Sequence, residues 1–223
     1  MDLTKIEYLG LDRVLKRGSG DILEQRADAL LIRDRVSDAL MLACEDASLG
    51  INLLDRHVTP DCDLLMVPET LGAATFERYG FTDKLDCWQV AYFGEKPAPD
   101  ARLTLRPATA SDLPRLTEHY HLLEPDVIQI LIERESIFLG YEGERWVGFV
   151  GEHLEGSMGI LYVLPEYRRR GFGAALETAM IARTMERGFV PFGQVVKDNQ
   201  PSLRLQQKLG LAQSEHLIVW MWK

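Results

Sequence analysis

From Arg102 onward the apolar positions change period several times, and each change predicts an element. "RLTLRPA" alternates as a strand does, and "TASDLPRLTEHYHLL" opens a helix with Ser111 as N-cap and Pro114 in its first turn. In "PDVIQILIERE" the residues Val127, Ile128, Ile130 and Leu131 recur at helical spacing. "SIFLGYEGERWVGFVGEHL" predicts two strands about the turn Glu142–Glu144, and "SMGILYVLP" predicts a third, giving an antiparallel meander. A long helix follows in "GAALETAMIARTMERG", with its stripe at Leu176, Met180, Ile181 and Met185 and Gly188 as its stop. "VPFGQVV", "QPSLRLQQKLG" and "LAQSEHLIVWMW" finish as strand, helix and strand. The order β-α-α-β-β-β-α-β-α-β is a mixed α/β (α+β) layout with a mostly antiparallel sheet.

Pro97, Pro99 and Gly94 interrupt both periods in "GEKPAPDARLTLRPA", so a linker over about 94–101 separates a first domain, 1–97, from a second, 101–223. Before the linker, Cys62 to Phe93 has the same order as the chain's end: strand, short helix closed by Gly80, aromatic strand. A shift of 130 residues places Gly80 on Gly210, Leu65 on Val195, Leu71 on Pro201 and Tyr92 on Trp222 without a gap. The expectation is a tandem of two related folds. The alternative is that any strand, helix, glycine and strand in series look alike.

The chain has 223 residues, room for one large domain or two of about 100, and 46% of them are hydrophobic, enough for a sizeable core. A formal net charge of -9 argues against nucleic acid or an anionic membrane as the main partner. The start "MDLTKIEYLG" has no apolar targeting core, and no run reaches the roughly 18 apolar residues of a membrane span, so a soluble cytoplasmic protein is expected. Cys44, Cys62 and Cys87 have no metal-ligand spacing and read as buried reduced thiols; no metal site is expected.

Candidate chemistry gathers at "VLPEYRRRGFGAAL", where a strand ends and a helix begins across Gly171 and Gly173. Free N–H groups at such a junction bind an anion, and glycines remove the Cβ atoms that would hold a phosphate away. Arg168, Arg169 and Arg170 concentrate positive charge there in an otherwise acidic chain. A pyrophosphate suits the site. No Lys-Ser or Lys-Thr follows the glycines and Leu176 stands where a third glycine would be, so neither common nucleotide-binding pattern applies. As a plain structural feature, the run would be a solvated turn.

This stretch resembles the acyl-coenzyme A signature of the general-control-related N-acetyltransferase (GNAT) superfamily: Arg or Gln, two residues, Gly, one residue, Gly or Ala, here Arg168, Gly171 and Gly173. The resemblance covers about residues 102–223, and "LPEYR" and "DNQPSLRLQQKLGL" are most similar to the glycine N-acyltransferase-like branch. It implies that Leu161, Val163 and Leu164 line the pantetheine arm, that Phe172 and Ala174 complete the phosphate loop, and that Asn199 and Ser202 help hold the cofactor. Met41 and Ala43 stand at the shifted positions of Gly171 and Gly173, so only the second half is expected to carry chemistry.

The activity so implied moves an acyl group, acetyl by default, from acyl-coenzyme A to the primary amine of a small molecule or amino acid by direct attack. Such an amine has a pKa near 10.4, so presenting it neutral at pH 7 costs about 4 to 5 kcal/mol and calls for a base. Ser157 occupies the branch's glutamate position and Gln206 the tyrosine position of many members, so neither role carries over. Glu152, His153 and Glu155 are the candidate bases, the two glutamates read as sharing one strand face; His119 and His121, otherwise a solvated helix face, are further candidates. A thiol of pKa about 8.5 leaves without much help, and the N–H near Val163 is the expected oxyanion donor. A cofactor-binding protein that has lost catalysis and an interaction protein on the same scaffold are the alternatives. The sequence leaves a homodimer open.

Overall fold

The computed structural model describes residues 1–223. Two compact units are present, one built from Met1–Ala91, Gln194–Arg204 and Ala212–Lys223, the other from Tyr92–Gly193 and Leu205–Leu211. The chain first leaves the first unit after Ala91, and the stretches Gln194–Arg204 and Ala212–Lys223 return to it.

In the first unit, α1 (Leu9–Lys16) precedes β1 (Gly20–Gln25), β2 (Ala29–Asp34) and β3 (Leu40–Cys44). α2 (Ala47–His57), β4 (Leu64–Pro68), α3 (Glu69–Tyr79) and β5 (Asp83–Ala91) follow, and the last strand of the chain, Ala212–Trp222, joins them between β4 and β5. Both faces of this sheet are covered. Leu31, Leu42, Leu65 and Val219 pack with Leu53, Leu54 and Leu71 of α2 and α3, while Ile32, Met41, Met66 and Ile218 pack with Leu11 and Val14 of α1. Asp46 starts α2 by accepting from the Leu49 amide at 2.7 Å.

The second unit opens with β6 (Thr104–Pro107), α4 (Leu113–His119) and α5 (Pro125–Glu133). The antiparallel meander β7 (Ile137–Glu142), β8 (Arg145–Glu152) and β9 (Met158–Val163) leads into α6 (Phe172–Glu186). Gly143, at φ 61°, makes the turn between β7 and β8. β10 (Phe192–Val196) and α7 (Gln200–Lys208) begin or end in this unit, and β11 is the returning strand. Its core joins Leu131, Ile137, Leu139, Phe149 and Ile160. Leu176, Met180 and Ile181 of α6 are buried as their spacing predicts, and the left-handed Gly188 ends that helix at φ 78°.

The mixed, mostly antiparallel architecture agrees with the element order read from the sequence. β4, α3 and β5 and, 130 residues on, β10, α7 and β11 have the matched order, their helices followed by Gly80 and Gly210 at φ 68° and 79°. Two local expectations change. Thr109, not Ser111, caps the first helical turn of the second unit, because Thr109 and Asp112 exchange side-chain and backbone hydrogen bonds in a capping box. α4 stops at His119, so Tyr120 and His121 lie beyond it.

Candidate acyl-coenzyme A site

β9 is irregular where the site begins. Its pairing with β8 slips between Phe149 and Gly151, and Ile160 takes φ 51°, a conformation that a β-branched residue adopts only when its surroundings force it. On its other side β9 meets β10 in one row, Met158 with Gly193. The Leu164 amide donates to Val147 O at 3.0 Å, so Leu164 belongs to a hydrogen-bonded pair and Val163 turns its own N–H and C=O away from β8. The Val163 carbonyl is taken by Arg168 Nε at 3.0 Å, and strand alternation directs its N–H to the same side, away from β8.

Beyond Val163 a short 3-10 turn, Pro165–Tyr167, delivers three exposed arginines. Arg168 closes the turn back onto the strand and lies 5.3 Å from the Tyr162 ring. Arg169 sits at φ 61° and Gly171 at φ 88°, a bend that brings the chain abruptly into α6. Arg170 is shared between Glu142, at 3.3 Å, and the rings of Tyr167 and Phe172. Phe172 is 1% exposed and anchors the helix edge-on to Tyr167, so its amide, not its ring, is offered to a ligand.

No side chain caps α6. The amides of Phe172, Gly173 and Ala174 therefore precede the first intrahelical donor, the Ala175 amide that bonds Gly171 O at 3.0 Å, and lie where the partial positive charge of the helix is largest. Packing does not demand glycine at 173: a Cβ there would lie 3.7 Å from Val163 and 3.9 Å from Leu205, ordinary contact distances. Space beside uncapped amides, with guanidinium groups around it, fits a diphosphate. Arg102 adds one more positive group, its guanidinium 5.4 Å from the Phe172 ring and paired with Asp100 at 2.6 Å. Nothing in the local sequence marks Arg102, since only folding brings it to the helix start.

Asn199 and Ser202 stand at the beginning of α7, in the part of that helix belonging to the first unit. The Asn199 carboxamide oxygen accepts from the Ser202 amide at 3.2 Å and so caps the helix. Leu161 is half-buried and Leu164 buried.

The three candidate bases have different surroundings. Glu152, 5% exposed, accepts from Thr184 at 2.9 Å and from Arg187 at 2.6 Å, so its carboxylate is committed to an ion pair. His153 lies over Gly159, where a Cβ would come within 2.7 Å of the imidazole Nε2. β8 ends at Glu152, so Glu155 is not on a strand face with it; Gly156 at φ 99° turns the chain and places Glu155 in the hairpin bend. There Glu155, 7% exposed, accepts a close hydrogen bond from the hydroxyl of the fully buried Ser157. Burial, with the charge of Glu155 beside it, pushes the Tyr120 phenol up to about 12. His119 stacks on Tyr162 at 5.0 Å and is tilted against Trp146 at 5.5 Å, so it is a packed ring rather than part of a solvated face.

Gln206, at the displaced tyrosine position, meets a residue the sequence did not single out. Glu177 lies one turn along α6 from Gly173, 3% exposed, and burial raises its carboxyl to about 7 against a hydrogen bond from Gln206. The Gln206 Oε1 is buried without a partner. The three cysteines are free and buried, and burial holds the Cys87 thiol up at about 12. No helix is long and apolar enough to cross a membrane.

The FR47-like protein family matches residues 139–220. No curated protein matches the chain by sequence. Among solved structures, a Drosophila protein has 16% identity and a TM-score of 0.67, with 98% of this chain and 90% of that one covered. A protein assigned to the GNAT acetyltransferases from Novosphingobium aromaticivorans has 18% identity and a TM-score of 0.58, with 98% and 96% covered. A tandem GNAT protein from the clavulanic acid biosynthesis pathway has 12% identity and a TM-score of 0.50, with 96% and 87% covered. At these identities the likeness is one of fold.

Proposed function

We propose that the protein transfers an acyl group, acetyl by default, from acyl-coenzyme A to the primary amine of a small molecule or amino acid. The observation that carries this reading is the uncapped start of α6 beside Gly173, with arginines gathered around it. The amides of Phe172, Gly173 and Ala174 receive the diphosphate, and the outward N–H of Val163 stabilises negative charge developing on the thioester carbonyl oxygen. The first unit, with Met41 and Ala43 in place of the glycines, is read as a copy of the fold without the loop.

Direct attack needs the amine as a free base. Glu155 is the favoured proton acceptor: Glu152 is held by Arg187, whereas the Glu155 carboxylate rests on Ser157, at the position where the similar glycine N-acyltransferase-like branch has its glutamate. Ser157 then relays the proton from the amine to Glu155. The leaving thiolate needs no dedicated acid, because its pKa of about 8.5 lets it depart unaided.

Release of free thiol from acetyl-coenzyme A, followed across a panel of amines and amino acids, tests the proposal. Turnover with at least one amine is expected, and Glu155→Gln should lower kcat by about a hundredfold or more with acetyl-coenzyme A affinity kept. Binding without turnover for every amine would favour a protein that has lost catalysis. An undiminished rate in Glu155→Gln with a large loss in His119→Ala would move the base to His119.

A further inference from the structure

A cavity of about 610 Å³ lies wholly within the first unit, the unit that lacks a glycine loop. It opens because β3 and β4 pair in only two rows, Leu40 with Leu65 and Met41 with Met66, after which Leu42 and Cys44 separate from Pro68. The wall opposite is an irregular stretch of β11, where the pairing with β5 slips between Gln213 and Leu217. This volume lies in the range of small-molecule sites, roughly 300 to 1,000 Å³.

The amides released by that slip are taken by carboxylates. Glu7 accepts from the Glu215 amide at 2.8 Å and from the His216 amide at 3.2 Å, both through Oε1. Glu69 accepts from the Leu217 amide at 3.4 Å through Oε2. Both carboxylates are thereby fixed in place, and each keeps its second oxygen for another donor. Glu45 and Glu215 also line the cavity, against Lys5 as its one lysine, and Lys5 is already paired with Glu45 at 3.2 Å. The floor supplied by Leu42, Met66 and Ile218 is apolar.

A second observation is independent of the charges. Tyr8 lines the cavity and is 8% exposed, yet its hydroxyl makes no hydrogen bond within the protein. Burial and the nearby charges of Glu45 and Glu7 push this phenol up to about 12, so it stays a neutral hydroxyl at any physiological pH. The ring is nine-tenths buried while its hydroxyl reaches solvent at the cavity, so a ligand bound there would take the place of water as its partner. Here it faces a space that a ligand would fill.

We infer that this cavity binds a small organic cation, a primary ammonium carried on an apolar body, with the free oxygens of Glu7 and Glu69 and the Tyr8 hydroxyl receiving the ammonium. The surrounding carboxylates disfavour an anion and favour a cation over a neutral ligand of the same shape. The site is separate from the glycine loop and stands without it.

Calorimetric titration of the full chain with butylamine, benzylamine and agmatine, in the absence of any acyl-coenzyme A, tests the inference; failure there would leave the loop reading untouched. At least one amine should bind saturably at one site, and benzylamine, if bound, should exceed its neutral counterpart benzyl alcohol by about tenfold or more, with benzoate not binding. Tyr8→Phe and Glu69→Gln should each weaken the bound amine by about tenfold. The ligand-free melting temperature of each variant separates loss of the site from loss of the fold, and Tyr8→Phe, which removes one oxygen, serves if Glu69→Gln unfolds. No binding by any of the three amines, equal binding of the alcohol, or an affinity unmoved by both substitutions would overturn the inference.

Discussion

The buried carboxyl of Glu177 gives a prediction whose size follows from the structure. Burial raises it from an ordinary 4.5 to about 7, with a hydrogen bond from Gln206 opposing. The folded chain thus holds this proton more tightly than the unfolded chain does. Stability from this group is complete below about pH 4.5 and is lost as pH rises through about 7. Each pH unit in that window removes about 1.4 kcal/mol, so the total is about 3 kcal/mol. Glu177→Gln keeps the shape, abolishes the titration and brings a donor toward the unpartnered Gln206 Oε1. Urea unfolding followed by circular dichroism at pH 5 and pH 8 measures the difference. The variant should match the parent to within about 1 kcal/mol at pH 5 and exceed it by about 2 to 3 kcal/mol at pH 8. Equal differences at the two pH values, or a variant weaker than the parent at pH 8, would refute the assignment of a buried, proton-holding carboxyl.

Two further outcomes follow from the site and its support. Gly173→Asp should leave the melting temperature nearly unchanged, because a Cβ at 173 meets only ordinary contacts, yet weaken acetyl-coenzyme A by about a hundredfold or more by setting a carboxylate against the diphosphate; calorimetry reads both. Arg187→Met removes the cation paired at 2.6 Å with the Glu152 carboxylate, which is 5% exposed, and should lower unfolding stability by about 2 kcal/mol, part of which Glu152→Gln restores in the double variant; chemical denaturation of the four chains measures it.

The second unit was readable because its elements alternate or repeat cleanly. β7, β8 and β9 are separated by glycine turns, and α6 keeps one apolar stripe between Gly171 and Gly188. Periodicity gives no such signal for β2 and β3: "ALLIRD" and "LMLAC" are buried on both faces, so their apolar residues run on without a period. The strand-to-helix junction at Gly171 and Gly173 was legible because a glycine pair after a strand marks an abrupt turn of the backbone. The identity of a base was not, because it depends on where β8 stops. One residue past Glu152 the chain leaves the ladder, which sends Glu152 to Arg187 and Glu155 to Ser157. Arg102 and Glu177 were missed for the same reason: an arginine after a linker and a glutamate in a helix look solvated until the fold places one beside Phe172 and buries the other against Gln206.

A crystal structure of the protein with acetyl-coenzyme A tests the central claim most directly. The account predicts the diphosphate within hydrogen-bond distance of the amides of Phe172, Gly173 and Ala174, with the thioester directed toward the Val163 N–H. A diphosphate bound elsewhere, with those amides closed by groups of the protein itself, would contradict it.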